Sequence, residues 1–252
     1  MGLGLAVVFL IGFVLGVDFH RAGLVHATVA MVHPKQVPAN PTPDLSENFF
    51  YRLKAPLQAA FPAKADVVMV GDSLTDLPGW STLFPNVRIA NYGISGDTTD
   101  GALRRLDPIL ATGAGTAFVM LGINDIRRHF PHATTIANFR RLIDALRTAG
   151  MTVYVESTLF TRQPEDAASI AALNKSLSET CKNGTNCVFV DLNSRLATGD
   201  LLRPDFSVDG THLTPPAYAA WRDAIRPFLS LTNTGLHEAN AKAREWAARQ
   251  DQ

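Results

Sequence analysis

The feature that most constrains this chain is a rhythm. Short apolar runs at 66–70, 87–91, 116–121, 152–156 and 188–191 alternate with stretches whose apolar residues recur at helical spacing. Four of the five runs are nearly continuous in apolar side chains, as in "VVMV" and "AFVML", which suits strands covered on both faces rather than on one. Between the third and fourth runs, Ile136, Phe139, Leu142, Ile143 and Leu146 mark one face of a helix, and Gly150 supplies its stop. Weaker helical patterns cover 101–110, 170–181 and 217–229. Alternating β and α elements predict an α/β fold with a parallel, doubly wound sheet of five strands. Ligands of such sheets bind beyond the carboxyl ends of the strands, so the polar residues that follow each run are those that carry chemistry.

At 252 residues, 46% hydrophobic and 18% charged, the chain can bury one sizeable core with appendages. Lys+Arg and Asp+Glu both total 23 and no basic stripe appears, which argues against nucleic acid as a partner. The organisation read from the sequence is an N-terminal signal anchor or signal peptide at 1–32, a proline-rich linker at 33–44, a globular domain at 45–232 and a charged, Ala-rich tail at 233–252. The stretch "HPKQVPANPTPDLSEN", 33–48, reads as extended chain, with the globular domain beginning between 45 and 50.

Residues 1–17, "MGLGLAVVFLIGFVLGV", carry no charged side chain and as a helix would span about 25 Å, a little short of a hydrocarbon core. Thr28-Val29-Ala30 offers small residues for cleavage but lies well beyond Val17, so a retained membrane anchor is the expectation. Arg21 and Lys35 follow the apolar run and no basic residue precedes it, which by the positive-inside rule would hold the domain in the cytoplasm. The cysteines point the other way. Cys181 and Cys187 bracket "KNGTN", whose Asn183-Gly184 can turn tightly enough for a disulfide, and a disulfide implies an oxidising compartment. Two unrelated thiols are the alternative; zinc is disfavoured for want of two more ligands. An anchored or exported protein with an extracytoplasmic domain is the resulting expectation.

Four polar clusters follow or flank the apolar runs. "VVMVGDSLTDLPGW" ends a buried strand on Gly71-Asp72-Ser73, "NYGISGDTTDG" follows the second run, "LGINDI" the third, and "VDGTHLTPPAY" precedes the last helical pattern. Ser73 alone would be read as a helix cap, Gly96 as a turn glycine, Asn124 as a strand-end cap and Asp209 to His212 as a solvated loop; convergence at one sheet edge is what changes the reading. A serine hydroxyl needs a base, and His212 can take its proton and return it to a leaving alkoxide. Asp209, three residues earlier on a tight turn, can orient the imidazole. Thr214-Pro215 marks the following helix start.

These blocks, "GDSL" with Ser73, "GISGDTT" with Gly96, "GIND" with Asn124 and "DGTH" with Asp209 and His212, resemble the SGNH (GDSL) hydrolase family in order and identity, over roughly 67–229. Within it, "NYGISGDTTDGALRRL" and "HLTPPAY" look most like platelet-activating-factor acetylhydrolase-type esterases. The resemblance implies a flavodoxin-like three-layer α/β/α fold and a serine esterase that forms an acyl-enzyme on Ser73. It further implies a triad of Ser73, Asp209 and His212, and an oxyanion hole built from the N–H groups of Ser73 and Gly96 and the amide of Asn124. It favours short acyl groups, acetyl among them, as substrate; O-acyl transfer to or deacetylation of a polysaccharide is the alternative reaction, and a non-catalytic binding module the alternative class. No cofactor is implied, and the substrate is a small-molecule, glycan or lipid ester.

The remaining polar residues read as scaffold. Asp72 and Asp125 are expected to accept from loop N–H groups, and Asp97, Thr98 and Thr99 to brace or cap. His129 and His132 lack companions at metal-ligand spacing. Leu74, Trp80, Phe84 and Ile94 either line the pocket or pack, and "TLFTRQPEDAAS", 158–169, either covers the site or connects elements.

Overall fold

The structure, a computed structural model, describes residues 48–182 and 186–229. The expected anchor, linker and C-terminal tail lie outside the described residues, and among those described no helix is long and apolar enough to cross a membrane.

Helix α1 (Phe49–Ala60) precedes the first strand, β1 (Val67–Gly71), which is followed by the short helices α2 (Ser73–Asp76) and α3 (Trp80–Leu83). Next come β2 (Ile89–Gly93), α4 (Thr99–Arg104), α5 (Leu106–Leu110), β3 (Thr116–Met120), α6 (Ile123–Arg127), α7 (His132–Thr148) and β4 (Thr152–Glu156). The chain continues through α8 (Pro164–Lys182), β5 (Cys187–Val190), α9 (Asn193–Leu196), a two-residue hairpin of β6 (Ala197–Thr198) and β7 (Leu201–Leu202), and α10 (Pro215–Leu229). The five long strands form one sheet in the order β2-β1-β3-β4-β5, with every pairing parallel.

The strand residues are mostly apolar because each face of the sheet is covered. On one face Val68, Val70, Ala117, Val119, Val153 and Val155 pack under α4, α5, α7 and α8. On the other, Val67, Met69, Phe118, Met120 and Tyr154 pack under α3, α9 and α10, where Trp80 and Trp221 meet edge to face at 5.3 Å between centroids. Fully burying one such side chain contributes roughly 1.5–3 kcal/mol, so the two layers hold the sheet rigidly. The flavodoxin-like three-layer α/β/α reading therefore describes the molecule.

The strands fall within two residues of their sequence-based bounds. The pattern at 101–110 is two helices rather than one, because the chain breaks at Arg105, whose side chain is drawn inward. Asn48, read as the last residue of the extended stretch, is instead the N-cap of α1, accepting from Tyr51 N at 3.1 Å. Cys181, at the end of α8, and Cys187, the first residue of β5, are joined as a disulfide.

Candidate active site

Strand β1 ends at Gly71, and its glycine is dictated by crowding: a Cβ there would sit 2.0 Å from Thr75 Oγ1 and 2.6 Å from the Met120 carbonyl oxygen. The chain can then turn immediately. Asp72 caps α2, its Oδ1 accepting from Leu74 N at 3.0 Å, and Ser73 opens the helix. Because Tyr218 O–H also donates to the Leu74 carbonyl at 3.1 Å, α10 steadies this turn from the far side. Ser73 emerges half-buried at the carboxyl edge of the sheet.

The Asp209–His212 loop approaches from the other side. Asp209 Oδ1 accepts from the N–H groups of Thr211 at 3.0 Å and His212 at 2.8 Å, closing a turn that leaves Oδ2 facing the ring. Oδ2 lies 2.7 Å from His212 Nδ1, and His212 Nε2 lies 3.0 Å from Ser73 Oγ. The hydrogen bonds from His212 hold the Asp209 carboxyl well below the usual carboxylate range, so it is ionised and can only accept. Nδ1 is therefore the donor to Asp209, which turns Nε2 towards the serine hydroxyl.

Gly96 and Asn124 complete the arrangement. Gly96 has φ +75, a left-handed conformation that favours glycine, and its carbonyl accepts from Arg128 Nη2 at 3.0 Å. Asn48 Nδ2 donates to the Ser95 carbonyl at 3.0 Å, and Asp76 Oδ2 accepts from Ser95 N and Oγ, so the loop is held from three sides. Asn124, on α6, donates through Nδ2 to the Asp97 carbonyl at 2.9 Å; the amide's second hydrogen is left over. No described residue accepts from Ser73 N–H or Gly96 N–H. The N–H groups of Ser73 and Gly96 and one hydrogen of the Asn124 amide thus have no acceptor among the described residues.

Under this surface lies a buried charged layer. Arg105 pairs with Asp97 at 2.8 Å and donates to the carbonyls of Tyr92 at 2.6 Å and Gly71 at 3.2 Å, tying the ends of β2 and β1 together. Asp125 accepts from Thr99 N and Oγ1. Burial, with repulsion from Asp97 and Asp125, pushes Asp72 up to about 7, and burial outweighing its Thr99 hydrogen bonds takes Asp125 to about 6. The expected acceptor roles of Asp72 and Asp125 are those seen, and Thr98 caps α4 through Gly101 N. Sequence reading missed Arg105, since nothing in an arginine's spacing announces that it is buried.

It also missed Arg127, which donates through Nη2 to Asp166 Oδ2 at 2.9 Å, Gln163 Oε1 at 3.1 Å and Thr211 Oγ1 at 3.0 Å. Together with the bond from Arg162 N to the Gly210 carbonyl at 2.8 Å, this fastens the 158–169 segment to the histidine loop. The segment braces, and from Pro164 it is already α8. Leu74, Trp80, Phe84 and Ile94 are all buried in packing. His132 Nε2 lies 3.1 Å from Ser176 Oγ, and no cluster of metal-ligating side chains occurs among the described residues.

Comparison with known proteins bears on the family and the fold. Residues 69–220 match the family model described as GDSL-like Lipase/Acylhydrolase family. The chain is 26% identical over 176 residues to an N-acylneuraminate cytidylyltransferase of Streptococcus agalactiae, covering 69% of this chain and 41% of that one. It is 31% identical over 112 residues to an arylesterase of Vibrio mimicus, covering 38% of this chain and 56% of that one. It thus spans about half the length of the curated relatives it matches. Among solved structures, a Streptococcus pneumonia chain provisionally described as a platelet activating factor superposes with TM-score 0.65 at 22% identity, covering 73% of this chain and 94% of that one. A catalytic-mutant structure of an acetylxylan esterase from Geobacillus stearothermophilus gives TM-score 0.54 at 18% identity, covering 66% and 94%. At these identities the likeness is one of fold.

Proposed function

This chain belongs to the GDSL-like lipase/acylhydrolase family, and from that premise we propose that it is a carboxylic ester hydrolase that works as a serine esterase through an acyl-enzyme on Ser73. The observation that carries the reading is the unbroken chain Ser73 Oγ, His212, Asp209, with separations of 3.0 and 2.7 Å. His212 Nε2 takes the hydroxyl proton as Oγ attacks the ester carbonyl, and the ionised Asp209 stabilises the imidazolium. The negative charge that grows on the carbonyl oxygen is met by Ser73 N–H, Gly96 N–H and the free hydrogen of Asn124. The imidazolium then returns its proton to the departing alkoxide. In the second half, His212 deprotonates water, which attacks the acyl group and frees the acid and Ser73.

We take the acyl group to be acetyl-sized. Leu74, Trp80 and Ile94 are buried in packing, which leaves them little freedom to open room for a long acyl chain. The acetylxylan esterase among the structural relatives supports the same preference. We place the domain outside the cytoplasm, on the strength of the Cys181–Cys187 disulfide and the uncharged apolar run at 1–17, which we read as a membrane anchor.

The test is a chain-length series of nitrophenyl esters with the wild type and Ser73→Ala. Turnover that falls from acetate to octanoate and vanishes in the variant supports the reading; equal turnover by both proteins removes it. Alkylation of Cys181 and Cys187 with and without reductant, in protein from its native host, checks the compartment, and free thiols would contradict it.

A further inference from the structure

Helix α1 is built inside out. Its half-buried positions, facing the domain, carry Tyr51, Lys54, Ala55 and Gln58, while its exposed positions carry Phe49, Phe50, Leu53 and Leu57. Tyr51 O–H donates to the Gly101 carbonyl at 3.2 Å and Lys54 pairs with Asp76, so the polar face is the one that docks. None of its residues is buried. An ordinary surface helix turns its apolar stripe to the core, and here Phe49, Leu53, Leu57 and Phe61, four residues apart, form that stripe on the outside. With Phe50 they make five of the eight large apolar side chains exposed among the described residues. Exposed apolar groups concentrated on one element mark a contact surface.

The chemistry of the helix says what the contact is. The sequence FFYRLKAPLQAA carries no carboxylate, and with Lys54 paired to Asp76 its exposed charge is the cation Arg52, a composition that suits a bilayer interface: aromatic and leucine side chains below, a cation at the headgroups. A second copy fits less well, because an isologous contact sets the same patch against itself and would bring two Arg52 side chains into one interface with no acid on the helix to compensate. Upstream, the uncharged run at 1–17 is joined to α1 by 31 residues, a length of chain on the order of 90 Å at full reach, ample for both to meet one membrane.

We propose that α1 is an interfacial helix that docks the domain on a lipid surface through Phe49, Phe50, Leu53, Leu57 and Phe61. Its N-terminal turn adjoins the Gly96 loop through Asn48, while its other end runs back towards the start of β1, so the domain lies on its side with the catalytic edge at membrane height. The inference does not depend on how the site works.

A polarity-sensitive fluorophore on Leu57→Cys in the full chain tests it, the native cysteines being paired with each other, with Arg226→Cys on α10, across the sheet, as control. The probe is a vesicle of equal parts phosphatidylcholine and phosphatidylglycerol, with and without brominated acyl chains. Circular dichroism checks that both labelled proteins are folded. A blue shift with vesicles and loss of emission with the brominated lipid at position 57, and neither at 226, is the expected result. No response at 57, whether or not the protein sediments with the vesicles, overturns the proposal. So does a blue shift without vesicles: one that grows with protein concentration assigns the stripe to a second copy, and one that does not assigns it to the chain's own remaining residues.

Discussion

Ser73 and His212 lie 139 residues apart in the chain and 3.0 Å apart between Oγ and Nε2. The contact unites the end of the first strand with a loop that precedes the last helix, and it is steered by Asp209, which is unusually open: its side chain is 53% exposed. Water competes for that carboxylate as it does not for a buried one. Asp209→Asn is therefore expected to lower kcat by about 10²- to 10³-fold, less than the loss of about 10⁴ found where the triad acid is buried. Asn keeps an acceptor for the N–H groups of Thr211 and His212, whereas Asp209→Ala opens the turn as well, and its activity should fall further. Steady-state kinetics on nitrophenyl acetate compares the two.

The oxyanion donors make a second expectation. Asn124→Ala removes one donor and should cost about 10²- to 10³-fold in kcat with little change in KM. Stability should drop by only about 1 kcal/mol, from the lost bond to the Asp97 carbonyl. Gly96→Ala meets a different obstacle, a left-handed φ and Asn48 Nδ2 at 3.1 Å from the new Cβ. Asn48→Ala relieves the second and not the first, so the double variant should recover only part of the lost rate.

Arg105 is where the fold is most vulnerable beneath the site. Arg105→Met leaves Asp97 buried without its cation and removes the Arg105 bonds to the Tyr92 and Gly71 carbonyls, of which Gly71 still accepts from Ile94 N. A loss of about 3–5 kcal/mol is expected in urea denaturation, with activity falling at temperatures where the wild type is stable.

Glu156 gives the pH dependence of stability a sign. It ends β4 wholly buried, accepts from Trp221 Nε1 at 2.5 Å, and is pushed up to about 8 by burial. The folded state therefore holds a proton that the unfolded chain, with its ordinary carboxylate, has released. This contribution is fully present at acid pH, below the unfolded value, and is lost as pH rises from there through about 8. Asp72 and Asp125, raised to about 7 and about 6, act in the same direction. Glu156→Gln preserves an acceptor for Trp221 and removes the titration. Urea midpoints should then decline less between about pH 5 and pH 9 than in the wild type.

What the sequence disclosed follows from which forces leave local marks. Continuous runs such as Val67–Gly71 announce a doubly covered strand, and Gly71-Asp72-Ser73, Gly96, Asn124 and Asp209–His212 announce themselves because turns and strand ends use few residue types. Long-range partnerships leave no such trace. Arg105 looked like any helical arginine until the sheet placed two carbonyls and Asp97 around it. Arg127 could not be tied to Thr211, 84 residues away, and Asn48 could not be tied to Ser95 until α1 was seen to lie along that loop. Inward polar and outward apolar residues on α1 are equally silent, because periodicity gives a stripe but not the side on which the protein lies.

Intact-mass and peptide mapping after treatment with a fluorophosphonate ester tests the central claim most directly, since such a reagent reports an activated serine without needing the natural substrate. The account expects a single phosphonyl group on the Ser73 hydroxyl, forming at least about 10²-fold more slowly when His212 is replaced by Ala. Labelling of another residue, or labelling of Ser73 at the same rate without the imidazole, would contradict it.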